Sequence, residues 1–168
     1  MPDRSLVWLL AALSTSCAAA TGEAPIELVF DPCGLRVAVA SDARAPERAS
    51  VDAALTAWNE AAGLALSRAD ASAPGAVTIR FEPSIPAFFG VYDDTDGSIT
   101  INRTIDDDRR RTVVIMHELG HAFGLTHVPR EIEASLMNPG NTTVAPTDGD
   151  VERLRALWGR CDAPTNPD

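Results

Sequence analysis

A chain of 168 residues that is 45% hydrophobic can bury one ordinary core, and its length argues for one folded unit rather than two. Its 24 acidic residues against 14 basic ones give a formal net charge of -10, which leaves no basic surface for a phosphate backbone and excludes nucleic acid as an expected partner.

Residues 1–20 read as an export signal. Arg4 supplies a thin charged start, LVWLLAAL over residues 6–13 is an apolar run too short to span a bilayer, and small residues follow. Two exits compete. LSTSC, ending at Cys17, has the form of a lipoprotein cleavage box, with Ser14 where such boxes carry Leu; cleavage after AAA at residues 18–20 fits the small-x-small rule equally well. Either exit leads to a secreted or envelope protein whose sole membrane attachment would be a lipid on Cys17. Cys33 and Cys161 then remain as an even pair in an oxidising compartment, where a disulfide is the economical reading. Tying the start of the domain to its end would contribute about 4 kcal/mol in the chain-entropy account.

Residues 21–34 form a lead-in to a domain over residues 35–161, and the tail at 162–168 is expected to be disordered. LRVAVA at 35–40 alternates as a first strand. An amphipathic helix follows, with Val51, Leu55, Trp58 and Ala62 at helical spacing, Ser50 as a candidate cap and Gly63 at the stop. AVTIRF places Val77, Ile79 and Phe81 on one face of a half-buried strand, and FFGVY and SITIN supply two more strands joined by the turn at 93–97. The spacing predicts a second helix from near Thr104, with Asp107 three residues on, running to Gly124. A third is predicted over TDGDVERLRALWG, capped by Thr147 and Asp150 and ended by Gly159. Strand, helix, several strands, then two helices describe an α+β domain.

All three histidines of the chain fall in HELGHAFGLTH, residues 117–127. Positions four apart share a helix face, so His117 and His121 can present two nitrogens to one ion, and Gly124 lets the chain turn so that His127 supplies a third. Three neutral imidazoles leave a fourth tetrahedral position for water, the mark of a catalytic rather than a structural zinc. Glu118, beside the first ligand, is placed to act as general base on that water. The bland reading, polar residues scattered on a surface helix, requires the whole spacing to be accidental.

HELGHAFGLTH resembles the zinc-binding signature of the metzincin metallopeptidases. The resemblance implies a methionine-bearing turn under the zinc, and SLMNPG supplies Met137 ten residues beyond His127. Within that clan the chain is most similar to the matrixins: ALTAWNEAAGLAL is like their first helix, GSITIN like the strand before the zinc helix, and DGDVERLRALWG like their closing helix. The likeness covers roughly residues 35–159, with only the zinc motif and the methionine turn specific. It implies a metzincin-like fold: a twisted, mainly parallel sheet with an antiparallel edge strand, three helices, and zinc in the cleft between an upper and a small lower subdomain. It also implies a zinc endopeptidase acting on extended protein or peptide substrates; the export signal makes proteins of the exterior or the envelope the expected substrates, and a monomer is expected.

Three departures stand out. Val128 follows the third histidine where matrixins carry Ser, no further histidines exist for their structural zinc, and the only tyrosine, Tyr92, lies far from Met137 in sequence. Calcium at Asp93, Asp94 and Asp96 is weighed against an ordinary solvated acidic turn. DPCGL around Cys33 is faintly similar to the matrixin propeptide switch, but the first strand follows too closely for the thiol to cross the cleft, so the disulfide is preferred. The alternative to an enzyme is a catalytically silent zinc-binding scaffold of the same fold.

Overall fold

The computed structural model describes residues 25–70 and 73–161. The export signal, Cys17 and the tail at 162–168 lie outside the described residues. Eight elements follow in order: β1 (Arg36–Val39), α1 (Ala45–Ala62), β2 (Ser67–Ala69), β3 (Val77–Glu82), β4 (Gly90–Asp93), β5 (Ser98–Asn102), α2 (Asp108–Ala122) and α3 (Asp148–Trp158). Together they make an α+β domain with a mixed five-stranded sheet in the order β2-β1-β3-β5-β4. β1 pairs in parallel with β2 and β3, β3 pairs in parallel with β5, and β4 alone runs antiparallel, against β5.

Alternation decides what the sheet buries. Val77, Ile79 and Phe81 of β3 are buried while Arg80 between them is exposed, so one face carries the core. β5 sits between β3 and β4 and is buried at four of its five positions, as a strand covered on both faces should be. α1 and α2 pack against each other, and α2 also packs on β4 and β5. The indole of Trp58, fully buried in α1, donates to the Met116 carbonyl of α2 at 3.1 Å and meets Phe123 edge-on at 5.5 Å. That contact holds the middle of α2 at a set height above the sheet. At its far end, the Trp158 indole donates to the Phe123 carbonyl at 2.7 Å, tying α3 to the same helix.

Two helix starts differ from the expected ones. α1 begins at Ala45, ahead of Ser50, because the buried Glu47 carboxylate accepts the Arg44 backbone N–H at 2.6 Å and Pro46 suits the first turn. Ser50 lies inside the helix, its hydroxyl donating to the Pro46 carbonyl at 3.1 Å. α2 is capped by Asp107, whose carboxylate accepts the Arg110 N–H at 2.6 Å, while the Thr104 hydroxyl donates instead to Asn102. Thr147 and Asp150 cap α3 as expected. The short strand β2, exposed and polar, has no periodic signal to announce it.

Cys33 and Cys161 form a disulfide across 128 residues of sequence, with Cα atoms 5.3 Å apart. It clasps the entry of the domain to the end of α3. Among the described residues no helix is long and apolar enough to cross a membrane.

Candidate metal centre

α2 brings His117, Glu118 and His121 to a cleft of about 410 Å³ whose opposite wall is β4 and the loop before it. The chain leaves the helix at Gly124, whose φ of 91° suits glycine and disfavours any residue with a Cβ. The Gly124 N–H closes on the His121 carbonyl at 2.8 Å and the Leu125 N–H on Gly120 at 2.9 Å. This sharp reversal returns His127 to the other two histidines. The ligand atoms of the three lie within 4.8 Å of one another, and the Nε2 atoms of His117 and His127 are 3.2 Å apart. Two nitrogens each bound to a tetrahedral zinc at about 2.0–2.1 Å stand about 3.3 Å apart, so this separation fits the ion.

The surrounding backbone sets which nitrogen faces inward. Nδ1 of His117 donates to the Leu136 carbonyl at 2.7 Å, and Nδ1 of His121 to the Leu125 carbonyl at 2.8 Å. With Nδ1 protonated, each ring offers its Nε2 lone pair to the centre, the arrangement by which outer partners orient metal-binding histidines. The three histidines could therefore form a metal site.

Glu118 is buried beside them. Burial pushes its carboxyl up to about 8, against the opposing pull of the Tyr92 backbone N–H; a divalent cation nearby would favour the carboxylate. The closeness of β4 depends on Gly90, where a Cβ would stand 2.9 Å from Val114 Cγ1 and 3.1 Å from Glu118 Cγ and Oε1. A glycine inside a strand is the available sequence signal for such a close approach, and it sits in FFGVY.

Met137 is fully buried against α2 at Gly120. Its sulfur lies 2.5 Å from where a Cβ on Gly120 would be, which explains the glycine between the two helical histidines. Gly120→Ala is expected to lower the melting temperature of the domain by displacing Met137, at a cost of about 1–3 kcal/mol for overpacking. An unencumbered helical glycine would show the opposite sign, because Ala favours helix by about 1 kcal/mol. A raised melting temperature would therefore refute this packing.

The turn that carries Met137 is held on both sides. The Val128 N–H donates to the Met137 carbonyl at 2.9 Å, and the Asn138 amide donates to the Val128 carbonyl at 2.9 Å. Val128 itself is buried in the core cluster, so its side chain packs while its backbone bridges the third histidine to the turn. Below, the fully buried Asp150 carboxylate accepts from the Ser135 hydroxyl and, at 2.9 Å, from the Leu136 N–H. Asp150 therefore serves two structures at once, the cap of α3 and the turn whose Leu136 carbonyl orients His117.

The acidic turn is spent differently. Asp93 and Asp96 accept the N–H groups of Thr95 and Ser98, each at 2.9 Å, and Asp94 accepts the Glu27 N–H at 2.7 Å. Among the described residues the histidine trio is the one group of metal-ligating side chains whose donor atoms converge, and the calcium expectation at these aspartates has no such cluster behind it. Gly90, Gly120 as a packing site, and Asp150 as more than a cap were not expected from the sequence; the first two carry a glycine signal, and the last is visible only once α3 meets the turn. No family model matches the chain, and no curated protein matches it in sequence.

Proposed function

We propose that the protein is a zinc-dependent endopeptidase with a metzincin-like fold, nearest to the matrixin branch, that hydrolyses peptide bonds of extracellular or envelope proteins. The observation that carries this reading is the convergence of three histidines and a buried glutamate in one cleft beside an edge strand. His117, His121 and His127 would hold the zinc, which when bound supplies the Lewis acidity that makes water a nucleophile near neutral pH. Glu118 takes a proton from the attacking water and delivers it to the departing amide nitrogen. β4, the antiparallel strand at the edge of the sheet, offers a backbone to which an extended peptide can add. The Cys33–Cys161 disulfide supports an oxidising destination.

The test is cleavage-site profiling of the mature protein on a broad peptide library, with zinc content measured in parallel. Cleavage is expected with one zinc per chain, stopping on chelation and returning with added zinc. Stoichiometric zinc without any cleavage would sink the enzyme reading and favour a silent scaffold.

A further inference from the structure

Residues 83–89 connect β3 to β4, and their last members, Ala87, Phe88 and Phe89, line the cleft opposite the histidines. Hydrophobic packing reaches only the end of this loop, where Phe89 is partly buried against the core with Arg110 over its ring at 4.4 Å; positions 83–87 are exposed, Ile85 at 69%. Its backbone instead converges on one buried side chain, Asn102 at the end of β5, which is 1% exposed. The Asn102 Nδ2 donates to the carbonyls of Phe88 at 2.8 Å and Ile85 at 3.1 Å, with that of Ser84 at 3.5 Å. The Oδ1 atom accepts the Ser84 N–H at 3.1 Å, the Thr104 N–H at 3.0 Å and the Thr104 hydroxyl at 2.9 Å. The Asn102 backbone N–H adds a bond to the Phe89 carbonyl at 2.9 Å.

We infer that Asn102 is the positioning residue of the cleft wall: its amide holds residues 84–89 in place, and through them sets where an extended substrate lies against the metal centre. Only a planar amide supplies both the donors and the acceptor in this space. Asp would aim a second oxygen at the Ile85 and Phe88 carbonyls, and Gln would carry the amide one methylene too far. Asn102 touches neither the histidines nor Glu118 among its hydrogen bonds, so its loss should loosen the wall without removing the catalytic groups. The substrate part of this inference rests on the peptidase reading above; the loop part does not.

The experiment compares wild type, Asn102→Asp and Thr104→Val as full mature chains, loaded with zinc. Amide hydrogen exchange at residues 84–89 is expected to rise about tenfold in Asn102→Asp and about two- to threefold in Thr104→Val, in line with the loss of several hydrogen bonds or one. Exchange in α2 and zinc content should stay at the wild-type level. On a peptide that wild type cleaves, KM should rise by similar factors while kcat holds, the pattern of lost ground-state positioning. Unchanged exchange at 84–89 in both variants, or a fall in kcat with KM unchanged, would overturn the inference. If Asn102→Asp does not fold, Thr104→Val decides alone, since Thr104 is exposed. If wild type cleaves no peptide, the enzyme reading falls and the exchange result still decides whether Asn102 holds the wall.

Discussion

Replacing Glu118 with Gln is expected to lower kcat/KM for peptide hydrolysis by about 10²- to 10⁴-fold, the range supplied by a positioned general acid-base, with zinc still stoichiometric. The two properties should separate because the three imidazoles form the candidate ligand set and Glu118 is not part of it. Gln is nearly isosteric, so it keeps the packing against Gly90, where Glu118 Cγ stands only 3.1 Å from a notional Cβ. It cannot take a proton from water. The buried carboxyl of the metal-free protein, pushed up to about 8 by desolvation, also predicts a stability effect of definite sign. A carboxyl whose folded pKa is raised contributes most below its unfolded value near 4.5 and loses that contribution as pH rises through the folded value. Metal-free wild type should therefore lose stability relative to Glu118→Gln between about pH 4.5 and 8. Urea unfolding of both proteins across that range measures it, and parallel curves would show that Glu118 stays solvated without metal.

Replacing Asp150 with Ala should cost about 3–5 kcal/mol of folding stability, the penalty for removing one partner of a buried charged network. For a domain held by about 5–15 kcal/mol, this is enough to leave little folded protein, and Asp150→Asn is the gentler probe. The carboxylate is fully buried; it accepts from the Thr147 N–H at 2.9 Å and the Thr147 hydroxyl at 2.7 Å, besides Ser135 and Leu136, and pairs with Arg153 at 2.8 Å. Burial alone would raise its pKa, but the Ser135 hydroxyl and the N–H groups of Thr147 and Leu136 together hold it below the usual carboxylate range. The stability this supplies is present above the unfolded pKa and disappears as pH falls through the folded one. The gap between wild type and Asp150→Asn should thus be widest at pH 7 and close in acid. Zinc affinity should fall about 10- to 100-fold, as for other outer partners of metal ligands, because the Leu136 carbonyl that orients His117 hangs from the N–H that Asp150 holds. A gap that stays constant from pH 7 to pH 3, or wild-type zinc affinity in the folded variant, would count against this coupling.

How much of the site is legible in the sequence follows from the range of the interactions involved. His117 and His121 share a helix face by period alone, and Thr147 with Asp150 announces a cap three residues long; both are local relations, and both are found in the structure. Ser50 and Thr104 misled as helix starts because several polar residues near each boundary can cap, and tertiary contacts choose among them. Glu47 won at α1 through Arg44 and Arg103, and Asn102 took the Thr104 hydroxyl.

Spacing by itself determined the alternating strands, the helix that carries two imidazoles and a carboxylate, and the glycine that permits a third imidazole to follow, because each depends on backbone geometry within a few residues. Only the tertiary structure decided what surrounds them. It brought the Met137 sulfur under Gly120, Gly90 against Glu118, Asp150 to the Leu136 N–H, Cys33 to Cys161 and Asp94 to the Glu27 N–H. Those outcomes join residues 14 to 128 positions apart, and no local period encodes which distant surfaces will close on one another.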